Sequence, residues 1–221
     1  MEATVPNARI LVVDDHAVVR RGVRALIEGR RGWEVCGEAT TGREAVKLAA
    51  TLRPDVVVMD LSLPELNGLE ATRQIKKQSP HMEILVLTMH HSEQLARDVL
   101  EAGARGYVLK SDADEYLIDA IDSLRNHKPF LTSTVTEFVL DGYMRRGEGR
   151  DESSSRETVT PREREIIQLL AEGYSNKETA AALGVSVKTI EAHRANIMRK
   201  LQLRSVSDLV RYAIRNKIVQ P

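Results

Sequence analysis

The sequence predicts two domains: an α/β domain built on a parallel, doubly wound sheet, and behind it a second, smaller all-α domain. Three observations carry this expectation. Short runs rich in Val, Ile and Leu alternate with amphipathic helical patterns from Ala8 to about Asn126. A stretch from Arg145 to Glu157 then contains no apolar residue. Beyond it, four short segments at helical period each begin with a capping residue.

In chain order, strands are expected at Arg9 to Asp14, Glu34 to Ala39, Val56 to Asp60, Glu83 to Thr88 and Gly106 to Leu109. Helical patterns separate them at Ala17 to Glu28, Gly42 to Leu52, Gly68 to Lys77, Glu93 to Ala102 and Asp114 to Arg125. Five βα units with right-handed crossovers make a parallel sheet covered on both faces. In the flavodoxin-like strand order 2-1-3-4-5, the first and third strands are neighbours at the switch point, where such sheets bind ligands. Val56-Val57-Val58-Met59 is a continuous apolar run that ends in Asp60, and Ile10-Leu11-Val12-Val13 likewise ends in Asp14-Asp15. Three carboxylates are therefore expected in one crevice.

Lys128 to Met144 is expected to add one more helix, starting after Pro129. The polar stretch from Arg145 cannot bury a face, and it reads as a flexible, solvated linker. Thr160-Pro161-Arg162-Glu163 then offers a capping Thr, a Pro at the first helical position and a Glu placed for a capping box. The helix it starts runs to about Glu172, where Gly173 ends it. A short helix from Asn176 to Leu183 stops at Gly184, Ser186 caps a third over Val187 to Leu201, and Ser205 with Asp208 starts a fourth ending near Asn216. Two short helices joined by a tight Gly-containing turn form a helix-turn-helix. The domains are expected over 8–128 and 158–218, with 129–157 as a partly helical, then flexible, linker.

Charge separates the two parts. The whole chain balances 32 Lys/Arg against 32 Asp/Glu, but residues 156–221 carry 12 against 7, and the remainder 20 against 25. A basic module on an acidic one points to a polyanion at the second alone. The lone Cys36 excludes an intramolecular disulfide and a multi-cysteine metal site, and it reads as a small buried hydrophobe. No apolar run approaches the ~20 residues that span a bilayer, and the start lacks the features of a signal peptide. A cytoplasmic protein with no membrane partner is expected.

Three carboxylates in one crevice repel each other, and a hard divalent cation such as Mg²⁺ resolves the conflict while keeping waters for phosphate oxygens. With that charge neutralised, Asp60 is placed to attack a phosphoryl group. Thr88, at the tip of the fourth strand, offers a hydroxyl, and Lys110, after the fifth, an ammonium. His16, His90 and His91 lie by the same edge and receive no role.

At Asp14-Asp15, Asp60, Leu63-Pro64 with Gly68, Thr88, Tyr107 and Lys110, residues 8 to about 126 resemble the receiver domain of two-component response regulators. The resemblance implies that Asp60 is the phosphoacceptor, that Asp15 binds Mg²⁺ directly with Asp14 assisting, and that the backbone carbonyl of Ser62 completes the protein's ligands. It makes Thr88 and Tyr107 a switch pair, Tyr107 turning inward on phosphorylation. Ser111 stands where Pro is commonest after the lysine, and Asn67 where Asp is commonest before the glycine. Neither change removes a ligand.

In the third helix of the basic module, Val187, Ile190, Ile197 and Leu201 form an inward stripe. Lys188, Glu191, Ala192, Ala195 and Arg199 project outward, as suits a helix in a major groove. Lys188, Arg194, Arg199 and Lys200 would reach phosphates, Ala192 and Ala195 thymine methyls, and Glu191 a cytosine amino group. Ser175 and Asn176, at the start of the preceding helix, would hold a phosphate. The runs Val159 to Glu163, Asn176 to Ala180 and Val187 to His193 resemble the LuxR/NarL-type DNA-binding domain over residues 158–218. That likeness adds Thr189 and His193 to the DNA-facing set.

Together these features predict a phosphorylation-switched transcriptional regulator rather than an enzyme. A sensor histidine kinase would phosphorylate Asp60, and double-stranded DNA would be bound by a homodimer of the phosphorylated chain, the helix from Ser205 to Asn216 supplying the self-association surface. Two rivals stand beside it. An aspartyl-phosphate phosphatase usually separates its acidic pair by one residue, whereas Asp14 and Asp15 are adjacent. A phosphorylation-independent adaptor with a degenerate receiver would not need Asp60, Thr88 and Lys110 together. RNA is disfavoured, because Tyr174 and Tyr212 are the only aromatics of the basic module.

Overall fold

A computed structural model describes residues 8–89, 92–133, 135–137 and 159–219. They fall into two compact units. The first has strands β1 (Ala8–Val13), β2 (Trp33–Ala39), β3 (Val56–Met59), β4 (Glu83–Thr88), β5 (Gly106–Leu109) and β6 (Phe130–Leu131). Helices α1 (Ala17–Glu28), α2 (Gly42–Leu52), α3 (Gly68–Gln78), α4 (Glu93–Glu101) and α5 (Ala113–Arg125) connect the first five strands and precede the sixth. The sheet order is β2-β1-β3-β4-β5-β6, with every neighbouring pair parallel.

The flavodoxin-like order is the expected one, but the sheet has six strands rather than five. Phe130–Leu131 pairs with Gly106 and Tyr107, and the Phe130 N–H donates to the Arg105 carbonyl at 3.0 Å. The helix expected from just after Pro129 therefore begins later, since residues 130 and 131 are extended and 133 and 135–137 helical. His127 explains the difference. It adopts a left-handed φ of 55°, which turns the chain back along β5, and Phe130 then packs its ring 6.2 Å from that of Tyr116. A two-residue strand has no period to read. The rest of that expected helix, His90, His91 and the linker from Arg145 to Glu157 lie outside the described residues.

The strands are apolar on both faces because helices cover both. Ile10, Val12, Val56, Val58, Leu85, Leu87 and Val108 join Val23 and Ile27 of α1 and Leu117, Ile121 and Leu124 of α5 in one cluster. Residues of the other parity, such as Leu11, Val57, Met59 and Val86, are equally buried. Burial of each such side chain is worth ~1.5–3 kcal/mol, which fixes the register and hence which residue stands at each strand tip. Cys36 is half-buried rather than enclosed, its thiol donating to the Ile10 carbonyl at 3.4 Å, and desolvation raises its pKa.

The second unit comprises α6 (Pro161–Ala171), α7 (Asn176–Leu183), α8 (Val187–Lys200) and α9 (Val206–Arg215). The expected caps are present: Thr160 and Glu163 form a capping box, and Ser186 and Ser205 accept from the N–H groups of Thr189 and Asp208. Gly184 ends α7 at φ 65°, the left-handed turn that redirects the chain into α8. Ile166, Ile167, Leu170, Ala180, Ile190, Ile197, Leu209 and Ala213 make the core. Val187 is a correction to the inward stripe. It opens α8 with 39% exposure, because the first turn extends beyond the α6 and α9 core that covers Ile190 and Ile197.

Candidate functional site

β1 and β3 are adjacent, with Val13 beside Met59, so the residues after them meet by construction. Asp14 is 3% exposed and Asp60 2%, while Asp15 and His16 are exposed at the rim. Ligand atoms of Asp14, Asp15, His16 and Asp60 all lie within 4.8 Å of one another. The three carboxylates expected in one crevice are there, with an imidazole added.

Lys110, just past β5, reaches back into the crevice, its Nζ 2.7 Å from Asp14 Oδ2 and 2.9 Å from Asp60 Oδ2. Asp60 Oδ1 accepts from the Leu61 N–H at 2.8 Å. Oδ2 is buried and paired with the Lys110 ammonium. Desolvation raises the Asp60 pKa and Asp14 adds to it, while the charge of Lys110 pulls the other way without prevailing. For Lys110, burial lowers the pKa, but the hydrogen bond to Asp14 and the charge of Asp60 outweigh it and the net shift is upward. Asp14, Asp15 and Asp60 together bring more formal negative charge to the crevice than one ammonium neutralises.

Gly68 shapes the floor. Its N–H donates to the Leu61 carbonyl at 2.9 Å, and a Cβ at this position would collide with the Asp60 carbonyl and stand 2.9 Å from Leu61 Cα. Thr88 ends β4, opposite Leu109, with 0% exposure. Tyr107, in β5, has its ring inside the domain at 1% exposure, where burial pushes its pKa up to about 12. Ser62 follows Asp60 by two residues and is half-buried.

Two residues of this site carried no expected role. His16 Nδ1 lies 2.7 Å from Asp15 Oδ1, and the His16 N–H donates to Asp14 Oδ1 at 2.8 Å. Arg20 donates from Nη1 to the Asp14 carbonyl at 2.7 Å and from Nε to Glu38 Oε2 at 3.2 Å, tying the end of β1 to α1 and β2. Their signal in the sequence is adjacency to the acidic pair and the i, i+4 spacing that sets Arg20 one turn beyond His16.

In the second unit, Lys188, Thr189, Glu191, Ala192, Ala195 and Arg199 are exposed along α8, while His193, Arg194 and Lys200 are half-buried. Several of the expected cations already have partners. Lys200 Nζ lies 2.8 Å from Glu163 Oε2, Arg194 Nη1 donates to Asn176 Oδ1 at 3.3 Å, and Arg199 Nη2 to Asn196 Oδ1 at 3.0 Å. Thr189 Oγ1 stands 2.8 Å from Ser186 Oγ within the α8 cap. Ser175 is held in a capping box, with its N–H and hydroxyl donating to Glu178 Oε2, so a carboxylate already occupies the start of α7. The Ser-x-x-Glu spacing that signals this box is legible in the sequence. Among the described residues no helix is long and apolar enough to cross a membrane.

Comparison with known proteins agrees with both halves. Residues 10–122 match the model of the response regulator receiver domain, and residues 157–213 that of the luxR family of bacterial regulatory proteins. The oxygen regulatory protein NreC of Staphylococcus epidermidis is 38% identical over 216 residues, covering 96% of this chain and 99% of its own. That of Staphylococcus carnosus is 40% identical over 220 residues with the same coverage. Among solved structures, a LuxR-family two-component response regulator from Aurantimonas sp. is 40% identical with a TM-score of 0.60, over 62% of this chain and 99% of that one. The RcsB response regulator of Salmonella typhimurium is 28% identical with a TM-score of 0.58, over 94% and 98%. An RcsB–DNA complex is 28% identical with a TM-score of 0.57, over 93% and 97%.

Proposed function

The chain belongs to the two-component response regulators that join a receiver domain to a LuxR-type DNA-binding domain, and on that premise we propose that phosphorylation of Asp60 controls its binding to duplex DNA. The receiver, expected over 8–128, runs on through β6 at Phe130–Leu131, and the linker leads from there to the DNA-binding domain at 158–218. The observation that carries this reading is the buried Asp60 carboxylate, paired with Lys110 and set in one crevice with Asp14 and Asp15.

A divalent cation fits the donor set. Mg²⁺ would be held by Asp15, Asp60 and the Ser62 carbonyl, with Asp14 assisting, and it supplies charge neutralisation for the phosphoryl oxygens. Asp14 assists by position, because its two oxygens already accept from the His16 N–H and Lys110. Asp60 Oδ2 attacks the phosphorus of the phosphohistidine of a sensor kinase, an O–P bond forms as the N–P bond breaks, and the histidine keeps the electron pair. Lys110 moves its contact from the carboxylate to a phosphoryl oxygen, and the Thr88 hydroxyl donates to another. The charge added at Asp60 is a local event read by the face from β4 to α5, with Thr88 and Tyr107 as its switch pair.

The phosphorylated receiver pairs two chains, and two copies of α8 then enter major grooves about one helical turn apart, with α9 as the pairing surface. Lys188, Arg194 and Arg199 contact phosphates, and Glu191, Ala192 and Ala195 face the bases. Thr189, His193, Ser175 and Asn176 lie along the same border, and Lys200 joins it on leaving Glu163. A cytoplasmic protein with no membrane partner is the setting this reading implies.

Incubation with acetyl phosphate and Mg²⁺, followed by mass spectrometry of the intact chain, tests the receiver. A persistent gain of one phosphoryl group, absent in Asp60→Ala, is expected. Turnover of acetyl phosphate without an adduct would favour a phosphatase, and inertness a docking adaptor.

A further inference from the structure

His16 occupies the N-cap position of α1, where a short oxygen-bearing side chain is the usual choice. Its φ and ψ of −86° and 108° suit a cap, yet its side chain makes no capping hydrogen bond. The ring turns to the acidic crevice instead. Nδ1 lies 2.7 Å from Asp15 Oδ1 and 3.4 Å from Asp14 Oδ1, and it belongs to the same 4.8 Å group as Asp60. Adjacent ligands of an octahedral ion with ~2.1 Å bonds stand ~3 Å apart, so these separations suit donors that share one ion. Asp60 Oδ2, buried and ion-paired with Lys110 Nζ at 2.9 Å, faces the same crevice.

The chemistry of the donors differs. Mg²⁺ takes oxygen ligands and keeps its waters, whereas imidazole is a donor for first-row transition ions. We propose that His16 is a nitrogen donor of this crevice and sets its metal preference, so that the receiver binds a divalent transition ion such as Mn²⁺ more tightly than Mg²⁺. The inference rests on the reading of the crevice as a cation site. His16 is 63% exposed at its side chain, so the ring has room to turn from its Asp15 hydrogen bond onto an ion without disturbing the core.

The test uses the full-length chain, with Mn²⁺ and Mg²⁺ as probes. Pulsed electron paramagnetic resonance of the Mn²⁺-loaded protein is expected to show ¹⁴N modulation from one imidazole, lost in both His16→Ala and His16→Gln. Calorimetry is expected to show Mn²⁺ affinity falling about tenfold in both variants, as loss of one ligand predicts, while Mg²⁺ affinity stays within about twofold. Bound Mn²⁺ without ¹⁴N modulation, or equal weakening of both ions, overturns the role of His16 and leaves the cation site standing. Mn²⁺ binding that survives Asp15→Ala and Asp60→Ala unchanged overturns the cation site itself.

Discussion

The ammonium of Lys110 lies 2.9 Å from the Asp60 carboxylate, which joins the residue after β5 to the residue after β3 across the intervening β4. The same nitrogen is 2.7 Å from Asp14. One cation thus serves two buried anions, and the site keeps a negative excess.

Lys110→Ala removes that cation and leaves two carboxylates facing each other in a buried crevice. The variant is expected to lose ~3–5 kcal/mol of stability, as when one member of a buried ion pair is deleted. Added Mg²⁺ should restore part of the loss and raise the melting temperature of the variant more than that of the parent. Thermal melts with and without Mg²⁺ check this, and an equal response in both chains would contradict it.

Gly68→Ala places a methyl group against the Asp60 carbonyl and Leu61 Cα. These are backbone atoms, so the strand end must shift. Overpacking of this kind costs ~1–3 kcal/mol in urea unfolding. Mg²⁺ affinity should fall with it, because Asp60 and Ser62 move together, and a Mg²⁺ titration of the folded variant separates the two effects.

Acid should act on α9. The Arg211 guanidinium, the Ser205 hydroxyl and the Arg204 N–H hold Asp208 down to about 2, against an ordinary value of 3.8. A carboxylate depressed in the folded state contributes stability above its unfolded pKa and loses it as pH falls through the folded one. The contribution is therefore present above 3.8 and disappears toward about 2. Melts across this window should show a shallower acid loss for Asp208→Asn than for the parent. The difference should shrink in high salt, since the group is exposed.

Lys188 and Lys200 should behave differently toward DNA. Lys188 is exposed, and Lys188→Ala is expected to weaken duplex binding across sequences and lower the salt slope by about one unit. Lys200 is held by Glu163, so Lys200→Ala should change the slope less and instead lower the stability of the second unit by ~0.5–1 kcal/mol. Binding titrations at several salt concentrations, with melts of both variants, compare them directly.

What the sequence alone determined is the set of elements and the edge at which their polar residues emerge. Runs such as Val56 to Met59, short, β-branched and set between helical patterns, read as strands covered on both faces, and parallel order brings Asp14, Asp15, Asp60, Thr88 and Lys110 to one side. The capping boxes and the left-handed turn at Gly184 are equally local, so the four helices of the second unit were legible too.

Only the tertiary structure decided who touches whom. That Lys110 bridges Asp14 and Asp60 and that Lys200 is engaged by Glu163 depend on residues 37 to 96 positions apart. Val187 shows the same limit, since helical period assigns a stripe but only the packed neighbours determine where the core ends. Periodicity records which face loses water, a property of each segment by itself. Ion pairing and strand addition, as at Phe130–Leu131, are settled by distances between segments, which the order of residues does not contain.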